Sequence, residues 1–160
     1  MQIYLIRHAH AMKGEDDAAR TLSPKGRKQI KGMAAFLRRG GLLQAAEFWH
    51  SPLVRSRDTA TLLIKGLGVR VKQVEVSGIG PEADPAVMVR RLKKVRRPVA
   101  VVGHEPHLSG LAAHLLTEGD CHPVIIFKKC AVATLERSGK HWVLRWLVSP
   151  DEILWKTDDR

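Results

Sequence analysis

The sequence predicts an α/β fold: a three-layer sandwich around a mostly parallel central sheet, with antiparallel strands at its C-terminal edge. Three observations carry this expectation. Strand-like and helix-like segments alternate through the first two thirds of the chain. Pro98-Val99-Ala100-Val101-Val102 is apolar and largely β-branched, as a strand covered on both faces requires. The last third changes to successive strand-like runs, two of them joined at Ser138-Gly139, the composition of a hairpin turn.

The elements follow in order. Ile3–Ile6 reads as the first strand. Ser23 and Pro24 supply an N-cap and a proline at the first helical position. Ile30, Met33, Ala34 and Leu37 then recur at helical spacing until Gly40-Gly41 stop the helix. Glu47–His50 is a short second strand, followed by a helix from about Val54 to Lys65 that ends near Gly66. Val69–Val76 alternates with period two and reads as a third strand. Asp84-Pro85 opens a helix carrying Val87, Met88, Leu92 and Val95. The Pro98–Val102 strand precedes a helix over Leu108–Leu116. Val124–Phe127, Ala131–Glu136 and Trp142–Val148 read as strands, and Ile153, Leu154 and Trp155 offer the polar tail an apolar dock. With no repeat, linker or low-complexity stretch, residues 1–160 are expected to form a single domain.

Composition narrows the function classes. A chain of 160 residues can bury a substantial core. No apolar run approaches the roughly 18–20 residues of a membrane span, and the first residues lack the basic and apolar regions of a secretory signal. The expected location is cytoplasmic, away from the membrane. Cys121 and Cys130 have no CxxC spacing and read as reduced core residues. The 27 Lys+Arg against 16 Asp+Glu give a formal charge of +11, which attracts phosphorylated ligands, acidic proteins or nucleic acid. The low aromatic content, 5%, argues against a stacking platform for single strands. The densest basic run, Arg90-Arg91, Lys93-Lys94 and Arg96-Arg97, reads as a solvated helix face, with docking of an acidic partner as the alternative.

Three segments following strands carry the candidate chemistry: Arg7-His8, residues 50–57 around Arg55, and Gly103-His104-Glu105-Pro106-His107. Ligands of parallel α/β sheets bind beyond the carboxyl ends of the strands, so these loops are expected to converge. Two imidazoles and two guanidiniums suit phosphoryl transfer. Arginine offers a permanently charged planar fork to phosphoryl oxygens. A neutral imidazole can attack phosphorus, and neighbouring guanidiniums lower its pKa and keep its lone pair free. A second imidazole, His104, can donate to the phosphoryl oxygens or leaving group. An arginine at a helix start opposes the dipole, which favours a functional reading of Arg55; Arg57 reads as a solvated charge. Asp16-Asp17 have no companion ligands and read as a solvated loop, so no metal site is expected. His10 can tune the site or lie at the surface, and His107 can face the pocket or cap the next helix. Lys128-Lys129 can face the substrate or guard an edge strand.

Leu5-Ile6-Arg7-His8-Ala9 resembles the Arg-His signature of the histidine phosphatase superfamily, the phosphoglycerate mutase-like fold. Residues 51–60, Ser-Pro-Leu-Val-Arg-Ser-Arg-Asp-Thr-Ala, resemble its second motif, and Val101-Val102-Gly103-His104-Glu105-Pro106 its third. Leu22-Ser23-Pro24-Lys25-Gly26, Gly103–Leu108 and Phe127-Lys128-Lys129-Cys130-Ala131 resemble the SixA-type branch, the phosphohistidine phosphatases. The resemblance implies that His8 accepts the phosphoryl group, that Arg7 and Arg55 hold its oxygens, and that His104 completes the pocket. Arg20 matches an arginine near the site in SixA-type proteins, a surface charge being the alternative. Glu82 is the nearest candidate for the general acid of the wider superfamily, a plain helix-start charge being the alternative. No cofactor is implied. A phosphohistidine-bearing protein is the expected partner and substrate. Two alternatives stand beside it: a phosphatase of small phosphate esters, and a non-catalytic basic module that binds phosphoprotein or nucleic acid, against which the intact His8, Arg7, Arg55 and His104 argue.

Overall fold

In the computed structural model, which describes residues 1–119 and 122–153, six strands form one sheet in the order β3-β2-β4-β1-β5-β6. The strands are β1 (Gln2–Arg7), β2 (Glu47–His50), β3 (Lys72–Glu75), β4 (Val99–Gly103), β5 (Val132–Ser138) and β6 (His141–Val148). β1, β2, β3 and β4 run parallel, while β5 pairs antiparallel to both β1 and β6. The expected architecture, a mostly parallel sheet with an antiparallel C-terminal edge, is what forms.

Period-two alternation divides the core between two faces. Ile3, Leu5, Val99 and Val101 point to one side, where they meet Met88 and Leu92 of α3 (Pro85–Lys93) and Leu108 and Leu111 of α4 (His107–Leu116). Tyr4, Ile6, Ala100 and Val102 point to the other, against Met33 and Leu37 of α1 (Pro24–Gly40) and Ala60 and Leu63 of α2 (Val54–Leu67). α1 and α2 pack closely because Gly66 has no side chain; a Cβ there would sit 2.6 Å from that of Ala34.

Three segments depart from the sequence expectation. Val124–Phe127 is not a strand. Its alternation is real, since Ile125 and Phe127 are buried while Val124 and Ile126 are exposed. Both sides of β1 are already taken by β4 and β5, so the segment buries alternate side chains without joining the ladder. β3 covers Lys72–Glu75 in place of Val69–Val76, because its only neighbour, β2, offers four residues to pair. α3 ends at Lys93, short of Val95, as the chain straightens toward Pro98. Leu154 and Trp155 of the expected tail dock, and Cys121, lie outside the described residues; Ile153 packs on the α1–α2 side of the core.

The chain leaves β1 over one face of the sheet and β4 over the other. The C-terminal ends of these adjacent strands flank a topological switch point, where α/β sheets open a crevice. Arg7-His8 and Gly103-His104 occupy it, in register across the β1–β4 ladder.

Candidate active site

β1 ends at Arg7, and the next residue is tied down at once: the His8 amide donates to the Gly103 carbonyl at 3.0 Å. The His8 ring is 3% exposed, and its centroid stands 5.0 Å from that of His104. His8 Nδ1 lies 2.8 Å from the Ala9 carbonyl oxygen. A carbonyl only accepts, so Nδ1 carries the proton and Nε2 presents its lone pair. Burial, then the Lys129 ammonium, pushes the His8 pKa down to about 2, with His104 and Arg55 adding smaller contributions. Neighbouring guanidiniums were expected to do this; Arg55 contributes, but desolvation is the larger cause and Arg7 is not among the groups responsible.

His104, 1% exposed, has its Nε2 2.6 Å from Ser51 Oγ. That hydroxyl also accepts from the Leu53 amide at 3.3 Å; with its own proton donated to Nε2, the His104 proton sits on Nδ1. Burial and Arg55 push the His104 pKa down to about 3. Both imidazoles are therefore neutral at pH 7.

Arg55 is brought to the same place by the first turn of α2. Ser56 Oγ donates to the Val102 carbonyl at 2.7 Å, and Thr59 Oγ1 accepts from the Ala9 amide at 3.1 Å. These contacts pin the helix start to the ends of β4 and β1. The Arg55 side chain is 4% exposed; its Nη1 donates to the Asp17 carbonyl at 2.7 Å and its Nη2 to Asp17 Oδ2 at 3.1 Å. Asp17 also accepts from Arg20 Nη1 at 3.0 Å. Arg20, then Arg55, holds the Asp17 carboxyl below the usual carboxylate range. Asp17 lies in an exposed loop, as expected, and in addition bonds two arginines. Arg7 Nη1 donates to the Phe127 carbonyl at 2.7 Å.

Among the described residues, the buried polar side-chain atoms without a hydrogen-bond partner include Arg7 Nε, Arg55 Nε and His104 Nδ1. Each is an N–H donor, and each belongs to a residue around His8. Leaving such a donor unsatisfied costs about 1–3 kcal/mol, so the arrangement is poised for a ligand rich in acceptor oxygens.

Two other expected residues resolve differently. Arg20 reaches the cluster through Asp17 and also donates from Nε to the Met12 carbonyl at 2.8 Å. Glu82 is exposed in the turn before α3 and shares none of the cluster's hydrogen bonds or ion pairs among the described residues. Of the residues left open, His107 is buried toward Asp84 and the Gly78 backbone, on the α3 side. His10 Nδ1 meets Ser23 Oγ at 2.6 Å, tying the loop after β1 to the α1 cap. Arg57 is half exposed, as a solvated charge should be. Lys128 reaches outward to Asp151 at 3.0 Å. Of the Lys128-Lys129 pair, left open between the substrate and an edge strand, Lys129 is the member that meets the cluster: its Nζ stands 3.4 Å from His8 Nε2. Among the described residues, no cluster of three potential metal ligands occurs.

Residues 3–76 match the histidine phosphatase superfamily, branch 1. This superfamily match bears out the resemblance read from Arg7-His8 and residues 51–60, both of which lie inside it. Solved phosphatases share the whole fold. The protein histidine phosphatase SixA complexed with tungstate aligns with a TM-score of 0.83 at 22% identity, over 95% of this chain and 99% of that one. The alpha-ribazole phosphatase of Shigella flexneri aligns at 0.77 and 15%, over 94% and 97%. A phosphoserine phosphatase of Entamoeba histolytica aligns at 0.67 and 16%, over 96% and 99%. No curated protein matches the chain. At these identities the likeness establishes the phosphoglycerate mutase-like fold.

Proposed function

We propose that this chain is a phosphatase working through a covalent phosphohistidine on His8, with phosphohistidine on a protein as its preferred substrate. The observation that carries the reading is the set of unpartnered buried nitrogens, Arg7 Nε, Arg55 Nε and His104 Nδ1, on residues that gather at the end of β1 with a neutral His8 imidazole. In the first step the Nε2 lone pair forms an N–P bond as the bond from phosphorus to the leaving group breaks in line. Charge on the equatorial oxygens is met by the two guanidiniums and the His104 N–H. In the second step water attacks phosphorus, the N–P bond breaks, the electron pair returns to Nε2 and inorganic phosphate departs. The arginines supply the charge neutralisation that a metal provides in other phosphatases.

The leaving group is argued from the carboxylates. Asp17 is held ionised by Arg20 and Arg55, and Glu105 accepts from the Ser109 amide and hydroxyl at the start of α4. Both carboxylates are already engaged, which argues against either handing a proton to a departing alkoxide. An imidazole departing from a phosphoramidate has no need of a strong acid, because it can leave already protonated. Small phosphate esters are the second reading, supported by fold neighbours named for such substrates.

The test is a substrate panel of phosphohistidine protein, phosphoserine and phosphotyrosine peptides, and small phosphate esters, run on wild type and His8→Ala. Acid-quenched wild type should not keep its phosphoryl group, whereas base-quenched wild type should, and His8→Ala should carry none. Full activity in His8→Ala would sink the assignment. Preference for esters over phosphohistidine would select the second reading. Chelators should leave turnover intact; if they abolish it, the charge neutralisation assigned to the arginines is wrong.

A further inference from the structure

We propose that Lys129 is a catalytic residue of this reaction, its ammonium donating to the oxygens of the phosphoryl group while that group is bonded to His8 Nε2; the inference rests on the phosphatase reading above. Lys129 Nζ lies 3.4 Å from His8 Nε2, the ring atom left unprotonated by the Nδ1–Ala9 hydrogen bond, and donates to its lone pair; an arriving phosphoryl group takes over both the lone pair and the ammonium's donors. A tetrahedral phosphoryl on Nε2 projects oxygens into the space this ammonium borders, and three N–H donors can follow them from substrate to intermediate.

The placement is built by the backbone. The Cys130 amide reaches the His8 carbonyl at 3.3 Å, and Cys130 adopts a φ of +60° that turns the chain sharply after Lys129. The Ala131 amide closes the same turn on the Lys128 carbonyl at 3.0 Å. Lys129 is therefore clamped to the residue it would serve, while neighbouring Lys128 points to solvent. A cavity of about 420 Å³, lined by His10, Ala11, Met12, Lys13, Arg20 and Lys129, opens on its other side. Lys129 borders both His8 and this cavity.

The charged groups facing Lys129 are Arg7 from β1, Arg20 from the loop before α1 and Arg55 from α2, with His8 and His104 alongside. Burial first, then Arg7, Arg20 and Arg55, brings the Lys129 pKa down to about 8. The arginines keep their charge at any working pH, and both imidazoles stay neutral above about pH 5. Lys129 is thus the group of this cluster that loses its charge just above neutrality, so kcat/KM, which reports the free enzyme, should fall as pH rises through about 8.

The experiment compares wild type, Lys129→Met and Lys129→Arg on an N-phosphohistidine peptide. Rapid base quench measures phosphoenzyme formation, and steady-state rates are taken from pH 6 to 9.5. Lys129→Met should slow phosphoenzyme formation by about 10²-fold, the usual loss on removing one charge-stabilising donor. Lys129→Arg should keep measurable turnover and lose the alkaline fall, since a guanidinium does not titrate there. A Met variant as fast as wild type, or an alkaline fall that persists in Lys129→Arg, would overturn the role. If the Met variant fails to fold, the Arg profile still decides. A wild type that forms no phosphoenzyme refutes the phosphatase reading itself, whereas active wild type with indifferent variants refutes only Lys129.

Discussion

His8 keeps its lone pair chiefly because it is buried, and burial is a different lever from charge. Added salt screens exposed charges but leaves desolvation largely intact. With His8 at about 2 and His104 at about 3, neither ring charges as pH falls from 7 to 5. The pH profile of kcat/KM, corrected for ionisation of the substrate, should therefore be flat over that range; a fall centred near 6.5 would mean that one of these rings titrates like an exposed histidine. Arg55 carries a second prediction at this scale. Arg55→Ala should raise the barrier in kcat/KM by about 3 kcal/mol, and Arg55→Lys should not restore it, because a point charge cannot bond Asp17 twice and still present Nε–H to an oxygen. Near-normal kinetics in either variant would remove Arg55 from the pocket. Arg7, His8, Arg55 and His104 were legible in the sequence because each lies just past a strand or at a helix start, positions that local pattern exposes. The pairing of Asp17 with Arg55 was not legible, and the sequence left open which of Lys128 and Lys129 meets the site; both contacts arise from chain closures, across 38 and 121 residues.

At the scale of elements, the entrance to α1 holds the loop that follows β1. Ser23 caps the helix by accepting the Gly26 amide at 3.0 Å, and the same hydroxyl meets His10 Nδ1. Gly26 then lets the helix press on this loop: a Cβ there would lie 2.0 Å from the His10 carbonyl oxygen. Backbone cannot yield as a side-chain tip can. Gly26→Ala should destabilise the protein by about 1–3 kcal/mol in urea unfolding, against about 1 kcal/mol for Ser23→Ala. It should also slow turnover, since the displaced loop begins at His8; a Gly26→Ala variant as stable and active as wild type would show that the loop moves freely. The sequence announced this helix well, through Ser-Pro at its start and glycines at its end. It announced Val124–Phe127 wrongly, because alternation reports which side chains are buried and not whether a neighbouring strand has backbone groups to share.

For the whole molecule, burying neutral imidazoles links stability to pH. His107, 1% exposed, is pushed down to about 4, chiefly by burial. A histidine whose folded pKa lies below its unfolded value near 6.5 contributes fully above that value. Its contribution is lost as pH falls, because the unfolded chain binds the proton first. Thermal stability should thus decline from pH 7 toward pH 4, and His107→Gln should flatten the decline by up to about 3 kcal/mol; an unchanged slope would assign the loss to other groups. The basic residues between Arg90 and Arg97 are exposed, but only Arg90, Arg91 and Lys93 lie on α3, so the run is not the single helix face the sequence suggested; Arg91 lies over the Trp49 ring at 4.7 Å.

The strand order has one further consequence. The groups around the phosphoryl position are drawn from residue 7 to residue 129, and the last of them takes its place only when the turn after Phe127 closes on β1. A chain emerging from the ribosome holds Arg7, His8 and Arg55 long before it holds His104 and Lys129. On the proposed chemistry, such an unfinished chain has an imidazole but no complete grip on phosphate, so nascent copies are inert toward the phosphorylated proteins around them and competence arrives with the final strand pairing.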